Sequence, residues 1–141
     1  MSVEIVPTED LSACHAVRRA VFVEEQGVAP DLEQDGRDGE ALHLLALDGD
    51  VPVGTARILI KDGTGKIGRV CVLPSHRGVG LGLRLIEACL DRLRALPDVT
   101  RAELGAQTYA LDFYEALGFV AYGPVFDDAG GLPHRMMERA L

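Results

Sequence analysis

The chain has 141 residues, 48% of them hydrophobic and 26% charged, and a formal net charge of -8. That length fits one domain over residues 1–141, and the acidic balance argues against a nucleic-acid partner, which wants a basic stripe, while favouring a cationic substrate. No apolar run approaches the roughly 20 residues of a membrane helix and the start lacks a basic flank, so the expectation is a cytoplasmic protein without a membrane partner.

In chain order, Val3–Val6 reads as a first strand. Asp10 or Ser12 can cap a helix whose apolar face runs through Ala13, Val17, Ala20, Val21 and Phe22, ending near Gln26 with Gly27 as a left-handed stop. Pro30–Glu40 is acidic and glycine-punctuated, and reads as a mobile, solvated loop. Its Asp31-x-Glu33-x-Asp35-Gly36 imitates the start of a calcium loop, but the twelfth position is Leu42 and no second helix follows, so no metal is expected. Ala41–Leu47 and Val51–Ile60 flank Asp48-Gly49-Asp50, a hairpin signal, and a turn at Asp62–Lys66 leads into the strand Ile67–Leu73. Leu85, Ile86, Cys89, Leu90, Leu93 and Leu96 repeat at helical spacing up to Pro97-Asp98. Arg101–Ala106 is a strand, Thr108–Leu117 a short helix stopped by Gly118, and Phe119–Tyr122 and His134–Ala140 are further strands. The unit from Ile67 to Ala106 places its two strands parallel by the right-handed crossover rule. The fold class is α+β: a mixed, mostly antiparallel sheet with helices on both faces. The three cysteines sit in apolar segments and read as buried hydrophobes rather than a disulfide or metal set.

The informative segment joins the strand at Val70-Cys71-Val72 to the long helix through Arg77-Gly78-Val79-Gly80-Leu81-Gly82-Leu83. Glycines at 78, 80 and 82 cost up to about 1 kcal/mol each relative to alanine at a helix start. That cost makes sense where a ligand approaches bare backbone. Free amides at the helix N-terminus then form an anion site suited to a pyrophosphate, with Arg77 adding charge. A dinucleotide fingerprint would need glycine where Leu83 stands, and a P-loop would need Gly-Lys-Ser/Thr opening the helix.

This segment resembles the acyl-CoA-binding motif of the GNAT superfamily of N-acetyltransferases, Arg/Gln-x-x-Gly-x-Gly/Ala after a Val-x-Val strand. Phe113-Tyr114-Glu115-Ala116-Leu117-Gly118-Phe119 resembles the family's second signature. Val21-Phe-Val-Glu-Glu-Gln-Gly-Val28 and Leu132-Pro-His-Arg-Met136 resemble a small bacterial subgroup, and the resemblance covers essentially the whole chain. It implies an N-acetyltransferase that passes an acetyl group from acetyl-CoA to a primary amine by direct attack. The acceptor, a small molecule or a protein amine, is not legible. Transfer of a longer acyl group, a non-catalytic acyl-CoA-binding module and a homodimer all remain open at this level.

The resemblance also assigns roles. The strands Ile67–Leu73 and Arg101–Ala106 are to splay so that the pantetheine arm pairs with backbone around Cys71 and Val72. Arg77 to Leu83 hold the pyrophosphate, and Phe113, Tyr114 and Gln107 complete the coenzyme site; Gln107 serves equally as a helix cap. Tyr114 is the candidate acid for the departing thiolate. For the acceptor and its proton the candidates are Glu24, Glu25, Gln26, His43 and His134. Two acids in the last turn of a helix oppose its dipole, which singles out Glu24 and Glu25. Glu25 and His134 are the candidates for catalytic base.

Overall fold

The computed structural model describes residues 2–128 and 131–141. Seven strands form one sheet in the order β1-β2-β3-β4-β5-β7-β6. They are β1 Val3–Thr8, β2 Leu42–Asp48, β3 Val51–Lys61, β4 Thr64–Val72, β5 Arg101–Gln107, β6 Val120–Asp128 and β7 Leu132–Ala140. Every pairing is antiparallel except β4 with β5. The helices are α1 Leu11–Arg18, α2 Pro30–Glu33, α3 Leu81–Arg94 and α4 Leu111–Glu115. The mixed, mostly antiparallel sheet expected from the sequence is the one observed.

The central strand β3 is buried from Val53 through Leu59, on both of its faces. One face receives α3, whose Leu85, Ile86, Cys89, Leu90 and Leu93 form an i, i+4 stripe against Leu44, Ala46, Ala56, Ile58 and Ile67. Full burial of a side chain of this size contributes about 1.5–3 kcal/mol, so this interface dominates the core. Gly54 lets the layers meet: a Cβ there would lie 3.2 Å from Leu85 Cδ1 and 3.1 Å from the Cys71 carbonyl. The other face carries α1 and the helical turns that follow it, with Cys14, Val17 and Val21 buried and the last two packed on Cys71.

Asp10 is the cap, its side chain accepting from the Ala13 amide at 3.2 Å. After Arg18 the helix widens into π geometry over Arg19–Glu25, with the Gln26 amide bonded to the Val21 carbonyl five residues back. Periodicity alone reads these residues as continuous α-helix. The hairpin turn is tighter than expected, at Asp62-Gly63, so β4 starts at Thr64. β6 runs on to Asp128, past a bulge between Tyr122 and Phe126, and β7 inserts between it and β5.

Candidate active site

The parallel seam is short. β4 and β5 pair at Thr64–Arg101, Gly65–Ala102 and Lys66–Glu103, and no further pairing follows. Just beyond, Thr55 pairs with Cys71 and Arg57 with Gly68, so Arg69 and Val70 together oppose Ala56 in a bulge. Arg69 holds φ +51° there, a left-handed conformation costing a non-glycine residue roughly 1 kcal/mol. A cleft of about 780 Å³ opens where the strands part. Ile86 and Tyr114 line it from the α3 side of the sheet, and Phe22, Gln26 and Leu32 from the α1 side, so it passes through the sheet.

At the end of β4 the chain turns through Pro74–His76 and reaches the glycine loop. Gly78 and Gly80 both hold φ +79°, and Gly80 caps α3 with no side-chain partner. The Arg84 amide donates to the Gly80 carbonyl, so the amides of Leu81, Gly82 and Leu83 have no acceptor within the helix. A Cβ built on Gly78, Gly80 or Gly82 would meet nothing within 4 Å, and Val79 is exposed. The glycines therefore serve no internal packing; they leave bare amides at the positive end of a 14-residue helix. Such a start fits the pyrophosphate of a coenzyme A.

Arg77 is engaged by Glu25, 52 positions away in sequence: Nη1 and Nη2 each lie 2.6 Å from a carboxylate oxygen, and Nε donates to the Val72 carbonyl at 3.0 Å. The guanidinium holds the Glu25 carboxyl below its ordinary value. Glu24 is exposed and 3.9 Å from Arg19.

Tyr114 meets Phe113 and Phe119 edge-on at 5.0 and 6.1 Å, and its hydroxyl has no hydrogen-bond partner among the described residues. Burial, followed by the neighbouring Tyr109, raises its pKa, so it stays a proton donor. Gln107 ends β5 opposite His134 on β7, and both line the cleft. His134 is buried and stacked on Phe126, with Nδ1 2.8 Å from the Leu132 carbonyl. A carbonyl only accepts, so Nδ1 donates, and in the neutral ring Nε2 carries the lone pair. Among the candidates, Gln26, Val70, Gln107, Tyr114 and His134 are brought together. Glu24, Glu25, Phe113 and His43 are outside the cleft lining, and His43 Nε2 is bonded to the Asp38 carbonyl at 2.9 Å. Burial pushes the Cys71 thiol up to about 12, so its side chain is inert and only its backbone is available.

The segment 30–40 departs from the solvated loop expected. Three of its five carboxylates point inward, while Asp31 and Glu40 stay exposed: Glu33 and Asp38 bond Arg18, Asp35 and Asp38 bond Arg57, and Asp38 also bonds His15. Arg18 and Arg57 are almost completely buried. Sequence reasoning missed this cluster, although Arg57 interrupts the apolar run Val53–Ile60, a signal that something must neutralise it.

The acetyltransferase (GNAT) domain model matches residues 7–141, and the chain belongs to that family. Membership supports acyl transfer from coenzyme A. An uncharacterized N-acetyltransferase of Bacillus subtilis (strain 168), YjcF, is 41% identical over 132 residues, 93% of each chain. The crystal structure of an acyl-CoA N-acyltransferase from Pseudomonas aeruginosa matches with TM-score 0.88 and 32% identity over 99% of this chain and 100% of that one. That of Escherichia coli ElaA gives 0.86 and 32%, over 98% and 99%. Among the described residues no helix is long and apolar enough to cross a membrane.

Proposed function

We propose that the chain acetylates a primary amine with acetyl-CoA as co-substrate, by direct attack in the cleft between β4 and β5. The observation that carries this reading is the seam that stops after Lys66–Glu103, directly upstream of the uncapped start of α3. Bound acetyl-CoA would supply the acyl group and a thiolate leaving group. The amides of Leu81, Gly82 and Leu83 hold the pyrophosphate, assisted by Arg77 once it leaves Glu25. Backbone groups of Val70 to Val72 take the pantetheine arm as an added strand and polarise the thioester carbonyl. Tyr114 donates its proton to the departing sulfur. His134 receives the proton of the attacking amine at Nε2. Gln107 lines the cleft beside this machinery, Phe113 supports it only through its edge-on contact with Tyr114, and Gln26 lines the wall on the acceptor side.

The test is thiol release from acetyl-CoA over a panel of amines. Turnover is expected with at least one, and Tyr114→Phe should lower kcat about a hundredfold or more with little change in the KM for acetyl-CoA. An unchanged kcat would reduce Tyr114 to a packing residue. Coenzyme A that binds but is never consumed would make the chain a binding module.

A further inference from the structure

On the α1 side of the cleft, the acidic side chains are already engaged, while one cation, Lys66, has no ion pair among the described residues and another, Arg69, is held only loosely. Arg18 holds Glu33 and Asp38. Arg57 holds both oxygens of Asp35 at 2.8 Å and reaches Asp38 at 3.2 Å. Arg69 comes after them. Its Nη2 reaches the Glu33 carbonyl at 3.1 Å but Asp35 only at 3.5 Å, and Nη1 has no partner among the described residues. Lys66, three positions earlier on β4, lines the same cleft and has no ion-pair partner among the described residues. Burial and the nearby Arg57 lower the pKa of Arg69, the mark of a cation short of counter-charge. Its side chain is 27% exposed, so a ligand can reach it.

The backbone adds a second observation. Arg69 stands at φ +51° in the bulge, a conformation glycine adopts freely and asparagine more readily than most residues. A long charged side chain held in a disfavoured conformation beside a cleft implies a use for the charge. Across the gap, His134 from β7 and Asp127 from β6 line the opposite wall. The space between also carries apolar side chains, Phe22, Leu32, Leu59, Phe126 and Met136.

We propose that the acceptor is an amine that also carries a carboxylate, an amino-acid-like molecule whose acid group is held by Arg69 with Lys66 on the same strand. This rests on the transferase reading above. The amine lies toward His134 and Tyr114, the carboxylate toward β4, and an apolar substituent fits between. Guanidinium–carboxylate hydrogen bonds are among the stronger ones available, and stronger still where burial lowers the dielectric.

The test uses leucine, methionine and phenylalanine, each beside its carboxamide and its aminophosphonate analogue. Two readouts are taken: calorimetric binding to the protein loaded with coenzyme A, and acetyl-CoA consumption. The free acids should bind at least tenfold tighter than their amides and show a correspondingly higher kcat/KM. Arg69→Gly, which relieves the backbone while removing the charge, should bring the acid-to-amide ratio close to one with the affinity for coenzyme A unchanged. Lys66→Gln, at an exposed position, should lower the ratio severalfold and serves as a second variant should the first fail to fold. Acid and amide held alike, or neither held, overturns the proposal, as does an undiminished ratio in both variants. A phosphonate preferred over the carboxylate overturns it in favour of a phosphate-bearing acceptor. Failure of coenzyme A itself to bind would instead remove the transferase reading beneath it.

Discussion

Arg77 meets the Glu25 carboxylate with both Nη atoms, which places the cation proposed for a pyrophosphate under the hold of a competitor. The pair is about two-fifths exposed on each side, so the competition is modest. Glu25→Gln should therefore tighten coenzyme A binding, by about threefold, with Arg77 released to the ligand. Calorimetry showing weaker binding would mean that Glu25 orients Arg77 rather than competing for it. The sequence placed Glu25 among the acceptor residues because a carboxylate at a helix C-terminus needs a reason, and Arg77 is such a reason. Arg77, the glycines and Tyr114 were legible as candidates because their spacing is local and carries a motif. Arg69 was not: its significance comes from a bulge and from arginines on other strands, none of which a linear pattern displays.

Among the elements, α3 is tied to β4 at one close contact. A Cβ on Gly65 would lie 2.4 Å from Leu93 Cδ2 and 2.6 Å from Cδ1, and Leu93 is fully buried. Gly65→Ala should cost about 1–3 kcal/mol of stability, read as a lower denaturant midpoint at unchanged slope. The start of α3 behaves in the opposite way. Gly82 has no positive φ and open space around it, so Gly82→Val should leave the fold alone yet weaken coenzyme A binding at least tenfold, about 1.4 kcal/mol. An unchanged affinity in the folded variant would remove the pyrophosphate from this helix. The strand–loop–helix order was readable because β4, the glycines and the α3 stripe are contiguous. The order β5-β7-β6 was not. Gly123-Pro124 looks like the end of a strand, whereas the structure absorbs it as a bulge between Tyr122 and Phe126. The π turn was hidden too, since the buried Val17 and Val21 are four residues apart, a spacing an α-helix also accommodates.

For the molecule as a whole, the buried cluster sets the response to acid. Hydrogen bonds from Arg57 hold Asp35 below the ordinary carboxylate range, while Asp38 is lowered by Arg18 and His15 against the opposing effect of its burial. Carboxyls depressed in the fold take up protons more readily when it opens. Their contribution is thus complete above the unfolded value of about 4 and is lost as pH falls below it. Unfolding free energy should be level between about pH 7 and pH 5, then fall steeply. Asp35→Asn should be less stable at pH 7 with a shallower acid fall. Parallel acid slopes in the two proteins would show that the cluster is not the sensor. The net charge of -8 pointed to a cationic acceptor, but charge counted over the whole chain says little about one cleft when several of its acids are engaged by arginines.

The seam that ends after three residue pairs gives this sheet a third margin, inside the molecule. An outer margin invites any extended segment, including another copy of the protein, and is a standing aggregation hazard. An inner margin is reached only through a slot with helices on either side, and a polypeptide brings side chains that must fit there on both faces. What passes most easily is a thread with amides and little else. On the proposed reading, selection at this margin is by thinness: the protein can keep a row of unpaired backbone groups ready for an added strand without exposing them to its neighbours.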